Sequence, residues 1–308
     1  MTYGAWLNEW LENYVKPTSK RRTYDRYRQL AAEILRRLGD VEINDLSPLL
    51  LQRYVTDLLE TGNRKTGKGL SPNTVTGVIS VIQSSLRTAF AVGVADEYTA
   101  DKIKRPKITE KQIECFSIPE QKAIEQAVLN GKKPKLLGIV LSLYTGLRIG
   151  ELLALEWSDL DLTEQSLTVS KSCHYGKDAK GRYTRFVELP KTAYSERVIP
   201  IPKQLLPILK QHKKNNPSKY VVSDRGKPVA IRSYQRSFEL LQKKLNIPHR
   251  GFHALRHTFA TRAIECGMDV KTLSEILGHK NPMITLNRYA HSLLKHKTEM
   301  MNRIGKLL

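Results

Sequence analysis

The chain has 308 residues, which is long for a single hydrophobic core and suits two domains. It carries 51 Lys and Arg residues against 30 Asp and Glu residues, and the net charge of +21 predicts a polyanionic partner. Nucleic acid is favoured, although charge alone leaves DNA, RNA and anionic lipid open. No window approaches the roughly 18 apolar residues of a membrane helix, and the amino terminus lacks a secretory signal pattern.

The three cysteines are scattered and form no C-x-x-C pair; they are Cys115, Cys173 and Cys266. This pattern fits a reducing compartment and argues against a disulfide scaffold or a zinc knuckle. We therefore expect a cytoplasmic protein whose cysteines are inert packing residues.

The first hundred residues predict a four-helix bundle over residues 1–105. Apolar side chains recur at helical spacing around residues 3–14 and 22–38. The Ser-Pro pairs at 47–48 and 71–72 each place an N-cap before a proline at the first helical position, which predicts two further helices. The segment TGNRKTGKGL between them is rich in glycine and lysine and predicts a mobile basic loop.

Residues 106–118 surround a proline with basic side chains, lack an apolar period and are predicted to link two domains. The second domain, 119–308, opens with helical patterns at 119–130 and 135–145. After Trp157 the runs SLTVSKS, RFVELP and ERVIPIP alternate apolar and polar residues, which predicts a three-stranded antiparallel sheet. Helical patterns then resume, so the predicted class is mainly α with a small antiparallel sheet (α+β).

Four polar clusters interrupt apolar sequence in this second domain. They are Arg148 in TGLRIGELLAL, Lys191 in LPKTAYSERVIPIP, His253 with Arg256 in FHALRHTFA, and His279 with Tyr289 in GHKNPMITLNRYAH. His253 and Arg256 are three positions apart in a helical context, so they share a cationic face suited to a phosphate.

The last cluster predicts a new helix that begins at an Asn-Pro pair, 281–282, in which Asn281 is the N-cap. Met283, Leu286 and Ala290 then form one apolar stripe. Tyr289 follows Leu286 by three positions, so we expect it to point toward the same interior.

Each cluster also has a structural interpretation. Arg148 stands three residues before Glu151 and can form an intrahelical ion pair whatever its function. Single histidines are usually structural, and a tyrosine beside a leucine is usually a core residue. Histidines 253, 257 and 279 also suggest zinc, but they lack the glutamate of H-E-x-x-H, and a neighbouring arginine would repel a cation.

The order Arg, Lys, His-x-x-Arg, Gly-His, Tyr closely resembles the catalytic signature of the tyrosine recombinase (phage integrase) family. The matching segments are TGLRIGELLALEW, HALRHTFAT and ILGHKNP, with a tyrosine ten residues after His279. The resemblance covers nearly the whole chain and implies a helical core-binding domain, a basic linker and a helix-rich catalytic domain. The stretch from Cys173 to Pro190 looks most like integrases of conjugative transposons and temperate phages. The arm-type DNA-binding domain that precedes many of them is missing from this sequence, which fits either a natural protein without it or a truncated chain.

By this resemblance, Arg148 and Arg256 would bind the non-bridging oxygens of the scissile phosphate. Tyr289 would attack phosphorus and leave a 3′-phosphotyrosyl bond and a free 5′-hydroxyl, without metal, ATP or another cofactor. The resemblance also implies that His253 is the base and Lys191 the general acid. His279 would bind the phosphate or orient its neighbours. Three further lysines near the same hairpin are alternatives to Lys191; they are Lys171, Lys177 and Lys180.

The implied partner is double-stranded DNA at attachment sites, bound by a homotetramer in a bacterial or phage setting. An excision-promoting accessory protein is a further candidate partner. Basic residues at the front of the chain are candidate backbone contacts, or simply a solvated charged face: Lys20, Arg21, Arg22, Arg26, Arg28, Lys65 and Lys68. The apolar tail, 292–308, could fold back onto its own domain, but by the resemblance we expect it to dock on a neighbouring subunit. A type IB topoisomerase or a catalytically silent DNA-binding relative are the alternatives.

Overall fold

The computed structural model describes six stretches of the chain and five further residues near its end. They are residues 1–109, 114–131, 133–178, 180–188, 196–279 and 281–289, with 298, 301, 302, 304 and 305. The chain divides into two compact units, Met1–Lys111 and Gln112–Leu308, so the division falls inside the predicted linker. No helix in the described stretches is long and apolar enough to cross a membrane.

The described part of the first unit contains four α-helices. They are α1 (Tyr3–Trp10), α2 (Arg21–Leu38), α3 (Pro48–Thr61) and α4 (Pro72–Ala91). A π-helical turn, Leu11–Val15, continues α1. Together they cover the first predicted helix, residues 3–14. The predicted starts of α3 and α4 are confirmed, because Ser47 Oγ and Ser71 Oγ each accept a hydrogen bond from a backbone N–H of the first turn.

Three aromatic side chains of α1 form hydrogen bonds with residues of α4. The Tyr3 hydroxyl lies 2.8 Å from Ser85 Oγ, and Trp6 Nε1 donates to the Ser85 carbonyl at 3.0 Å. Trp10 Nε1 donates to Thr88 Oγ1 at 3.1 Å. Each ring is buried while its polar atom is satisfied, which is how large aromatic residues enter a core without an unpaired donor.

The second unit is mainly helical. Its helices are α5 (Ile118–Leu129), α6 (Leu137–Thr145), α7 (Ile149–Ala154), α8 (Leu206–Asn215), α9 (Ile231–Lys244), α10 (His253–Glu265), α11 (Val270–Leu277) and α12 (Pro282–Tyr289). Its strands are β1 (Leu160–Asp161), β2 (Ser166–Val169), β3 (Ser172–Lys177), β4 (Tyr183–Glu188), β5 (Arg197–Pro200), β6 (Ser223–Asp224) and β7 (Lys227–Pro228). The predicted class, mainly α with small antiparallel sheets, is confirmed.

The strand pairing differs from the predicted sheet. The three-stranded sheet has the order β1, β2, β5, with Leu167 opposite Ile199, whereas β4 pairs with β3 as a separate hairpin. The run SLTVSKS therefore contributes to two sheets, because the chain leaves the first sheet between Val169 and Ser172. The prediction that RFVELP joins the same sheet was wrong. Alternation of apolar and polar residues shows which face of a sheet each residue occupies, but it does not show which strand is the partner. Here β4 pairs with β3, the strand that precedes it in the chain.

Helix α10, which carries His253 and Arg256, packs against α6 and α11. Helix α10 lies against α6, and Leu255 is fully buried in the main core. Further along α10, Ala260 and Ile264 pack against Leu273 and Leu277 of α11. The N-cap predicted at Asn281 is confirmed, since its Oδ1 accepts from the Met283 N–H at 2.9 Å at the start of α12.

Candidate active site

Arg148, Arg256 and His279 meet at the carboxyl end of α11, although they lie far apart in the sequence. Arg148 directly precedes α7, Arg256 lies in the first turn of α10, and His279 follows α11 by two residues. The structure thus brings together three of the six predicted catalytic residues through described contacts.

Three successive backbone carbonyls at the end of α11 each accept a hydrogen bond from a guanidinium group. Arg197 Nε donates to the Ile276 carbonyl at 2.6 Å, and Arg256 Nη2 donates to the Leu277 carbonyl at 2.7 Å. Arg148 Nη2 donates to the Gly278 carbonyl at 3.3 Å. The last carbonyls of a helix have no partner within it and form the negative end of the helix dipole. The end of α11 therefore supplies hydrogen-bond acceptors for the three guanidinium groups and holds them in place.

Gly278 allows the chain to turn at this point. It has a left-handed backbone with a φ of 65°, and a Cβ there would lie 3.1 Å from Arg197 Nη1. The His279 N–H bonds to the Ser274 carbonyl and the Gly278 N–H to the Glu275 carbonyl, both at 3.0 Å, which forms a Schellman motif. This turn directs the chain from α11 so that His279 reaches Arg256.

A buried carboxylate holds two of the guanidinium groups. Glu151 is 6% exposed, and its oxygens accept from Arg197 Nη2 at 2.9 Å and from Arg148 Nη1 at 2.8 Å. The predicted ion pair between Arg148 and Glu151 is therefore present alongside the site. Burial raises the pKa of the Glu151 carboxyl, but attraction to Arg197, its hydrogen bond and attraction to Arg148 outweigh this effect and lower the pKa to about 2.

Arg256 is 2% exposed and is held on several sides. Its Nη1 donates to the Gly146 carbonyl at 2.9 Å, where α6 ends, and its Nη2 lies 2.8 Å from His279 Nε2. His279 Nδ1 lies 2.7 Å from the hydroxyl of Thr285 in α12. The guanidinium plane is thus fixed directly by groups at the ends of α6 and α11, and His279 connects it to α12. Binding of an oxyanion requires preorganisation of this kind.

The sequence matches known proteins over both units. The model of the Phage integrase family matches residues 120–296, and the model of the Phage integrase, N-terminal SAM-like domain matches residues 2–59. The chain belongs to the phage integrase family. It is 31% identical to a tyrosine recombinase XerC-like protein of Caldanaerobacter subterraneus subsp. tengcongensis, over 100% of this chain and 83% of that relative. It is 26% identical to the ICEBs1 integrase of Bacillus subtilis, over 84% of this chain and 72% of that protein.

Solved structures share the fold of this integrase. One is the Tn1549 transposon integrase in complex with transposon right end DNA, with a TM-score of 0.83 and 23% identity over 99% of this chain and 100% of that one. Another is a lambda integrase tetramer bound to a Holliday junction, with a TM-score of 0.71 and 21% identity over 92% of this chain and 78% of that one.

The other predicted catalytic residues of the integrase differ in how much the structure describes. His253 is exposed at the first residue of α10, and its ring lies edge-on to His257 with centroids 4.6 Å apart. Helix α12 ends at Tyr289, whose side chain lies outside the described part, as does Lys191. Their assigned roles remain predictions.

Of the alternative lysines, Lys171 is engaged in ion pairs. Its Nζ lies 3.0 Å from Asp159 and 3.3 Å from Glu156. Lys180 is exposed, and the side chain of Lys177 lies outside the described part. The contacts of Lys171 support a structural role for this residue.

The predicted apolar stripe of α12 was partly wrong. Met283 is 50% exposed, whereas Thr285 is fully buried among the side chains of this helix that the structure describes. Because a polar residue, Thr285, lies on the buried face of α12, the apolar residues alone do not identify that face. The seven candidate DNA contacts of the first unit are all exposed: Lys20, Arg21, Arg22, Arg26, Arg28, Lys65 and Lys68.

Two residues of the site, Arg197 and Thr285, were not identified in the sequence. A signal for Arg197 exists, because alternation along β5 places it on the same inward face as Ile199. A buried arginine requires an anionic or carbonyl partner, so its position indicates a buried ion pair. Thr285 carries no comparable signal, since threonine is common on exposed and buried helix faces alike.

Replacing Glu151 with glutamine tests the buried carboxylate. Because the pKa in the folded chain lies below its usual 4.5, the carboxylate stabilises the fold fully above about pH 4.5 and loses this effect as the pH falls toward 2. We expect Glu151→Gln to lower the free energy of unfolding by roughly 3 kcal/mol at neutral pH, with a smaller difference from wild type at about pH 3.

Denaturant titrations at both pH values measure this difference. The control is Glu164→Gln, because Glu164 is exposed and its replacement should change stability by less than about 0.5 kcal/mol. An equal difference between wild type and Glu151→Gln at the two pH values would contradict the assignment.

Proposed function

We propose that this integrase is a site-specific DNA recombinase that cuts and rejoins strands through a 3′-phosphotyrosyl intermediate at Tyr289. The observation that carries the proposal is the meeting of Arg148, Arg256 and His279 at the end of α11, directly before the helix that ends at Tyr289. A cationic group of this kind, ordered before any ligand arrives, suits a phosphodiester.

The two arginines differ in environment and suit different contacts. The side chain of Arg148 is 38% exposed, so its guanidinium can meet a DNA backbone while Glu151 orients it. Arg256 is buried and fixed by main-chain carbonyls, which favours a role against the oxygens that gain charge in a pentacoordinate transition state. His279 stands beside Arg256 and supplies a further ligand for the same phosphate.

The proposed reaction conserves the energy of the broken bond. The Tyr289 oxygen bonds to phosphorus, its proton passes to His253, and the 5′-oxygen leaves with a proton from Lys191. The phosphotyrosyl bond replaces a backbone phosphodiester bond of similar energy. Attack of another 5′-hydroxyl on the phosphotyrosyl phosphorus therefore rejoins the strand and releases Tyr289 without a nucleotide. Positive charge from two guanidinium groups takes the place that a metal ion has in other phosphoryl-transfer sites.

The proposed substrate is duplex DNA at the ends of a mobile element, bound by a tetramer. The net charge of +21 and the exposed basic residues of the first unit support this partner. The similar proteins include the Tn1549 integrase with transposon right end DNA and the lambda integrase tetramer on a Holliday junction. We propose DNA of this kind and a tetrameric assembly for this chain as well.

A nicked attachment-site duplex tests the nucleophile. Loss of the short strand beyond the nick traps the covalent product, so the wild-type chain should form a DNA adduct that survives denaturation. Tyr289→Phe should form none, because the ring remains and only the attacking oxygen is removed. Gel electrophoresis of denatured samples, with chelator present and without ATP, measures the adduct.

The control for this experiment is Tyr183→Phe, which removes the hydroxyl of a tyrosine that is 73% exposed. An adduct that persists in Tyr289→Phe would refute the nucleophile. Dependence of the wild-type reaction on a divalent metal or on ATP would refute the proposed chemistry. A supercoil-relaxation assay beside a two-site recombination assay distinguishes strand exchange from topoisomerase action.

A duplex with sulfur in place of the bridging 5′-oxygen tests Lys191. A thiol has a pKa of about 8.5, so a thiolate leaves without the proton that an alkoxide needs. We expect Lys191→Ala to be slow on the oxygen substrate and to regain most of the wild-type cleavage rate on the sulfur substrate. Lys180→Ala, at an exposed neighbour, is the control. A variant that is equally slow on both substrates would exclude Lys191 as the general acid.

A further inference from the structure

The Glu151 carboxylate accepts four hydrogen bonds within the described part of the chain, and two of them come from Arg197. Oε1 accepts from Arg148 Nη1 at 2.8 Å and from Arg197 Nη1 at 3.3 Å. Oε2 accepts from the backbone N–H of Arg148 and from Arg197 Nη2, both at 2.9 Å. A carboxylate offers about four lone-pair sites on its two oxygens, so these donors fill it.

The two arginines share this carboxylate unequally. Arg197 binds it as a fork, because Nη1 donates to one oxygen and Nη2 to the other. The Arg148 guanidinium contributes one nitrogen, Nη1. An arginine beside a carboxylate favours the fork, since the two planar groups match in geometry. Arg197 therefore occupies the sites through which Glu151 would otherwise hold Arg148 by a fork of its own.

The consequence concerns the donors that Arg148 keeps for a ligand. A guanidinium group has five N–H donors. Among the described residues, those of Arg148 reach two acceptors, Glu151 Oε1 and the Gly278 carbonyl. The side chain is 38% exposed, so a phosphate can approach the remaining donors. A fork to Glu151 would take one more of these donors and turn the planar group toward the carboxylate.

Burial makes the competition between the two arginines strong. The side chains of Arg197 and Glu151 are both buried, and water screens charges weakly at such a place. A Glu151 carboxylate without Arg197 would therefore attract Arg148 strongly. Arg197 is also held in place from its other edge, because Nε donates to the Ile276 carbonyl at 2.6 Å.

We propose that Arg197 is a positioning residue: it fills Glu151, limits this carboxylate to one hydrogen bond with the Arg148 guanidinium and so leaves the other Arg148 donors for the scissile phosphate. This inference rests on the proposed function of Arg148. Arg197 itself touches no reacting atom. It acts by preventing Glu151 from withdrawing Arg148 from the DNA.

The test removes the fork with Arg197→Met, which keeps an unbranched side chain and has no donor. The single-turnover rate of adduct formation on the nicked duplex, at saturating protein, should fall roughly 100-fold, because Arg148 no longer reaches the phosphate. Removing the carboxylate as well should reverse most of this loss. Arg197→Met combined with Glu151→Gln should react faster than Arg197→Met and within about fivefold of Glu151→Gln alone.

A crystal structure of Arg197→Met without DNA gives a readout that does not depend on cleavage. Both Glu151 oxygens should lie within about 3.2 Å of Arg148 guanidinium nitrogens, and the hydrogen bond from Arg148 to the Gly278 carbonyl should be lost.

The matched control is Arg236→Met, which breaks an exposed arginine–glutamate pair. Arg236 Nη1 lies 3.1 Å from Glu239 Oε2, and the Arg236 side chain is 70% exposed. This variant should form the adduct at the wild-type rate and leave Arg148 in place.

The outcomes separate this inference from the proposed function. Absence of an adduct in wild type would remove the proposed function, while the crystal structure would still test the contact between Arg148 and Glu151. An unmoved Arg148 in Arg197→Met, or a double variant as slow as Arg197→Met, would overturn the inference alone. If Arg197→Met does not fold, the double variant decides, because a rate far below that of Glu151→Gln would show that Arg197 acts without the carboxylate.

Discussion

The buried ion pair between Glu151 and Arg197 is the interaction on which the rest of the site depends. Burying a single charge is costly, and each of these two groups is acceptable in the interior because the other is present. The pair joins β5 to α7 and, through the second hydrogen bond of Arg197, to the end of α11. Arg148 is then oriented by the same carboxylate. One buried anion therefore sets the positions of a strand, two helices and a proposed catalytic arginine.

The carboxyl end of α11 is the second organising element. Three guanidinium groups crowd a small volume, and their repulsion is offset by Glu151 and by the carbonyls of Ile276, Leu277 and Gly278. The donors are in place before DNA binds, so little reorganisation is needed when a phosphate arrives. The Gly278 turn then leads to His279 and α12, so the helix that ends at the proposed nucleophile begins next to the guanidinium groups.

The sequence predicts those parts of the molecule that local chemistry determines. The starts of α3, α4 and α12 follow from caps and prolines within a few residues, and the pair of Arg148 with Glu151 follows from helical spacing. The contact of Arg197 with Glu151 joins residues that lie 46 positions apart, so it depends on tertiary packing and no local pattern identifies the partner. The resemblance of motifs predicts which residues carry function, but it does not predict that Thr285, rather than Met283, is buried on α12.

The most direct test of the account is a structure of the chain trapped on a nicked duplex as its covalent DNA complex. The account predicts a phosphorus bonded to the oxygen of Tyr289, with non-bridging oxygens within about 3.2 Å of the guanidinium groups of Arg148 and Arg256 and of the His279 ring. The Glu151 carboxylate should remain paired with Arg197 beneath them. A phosphate bound elsewhere, or a covalent bond to another side chain, would contradict the account.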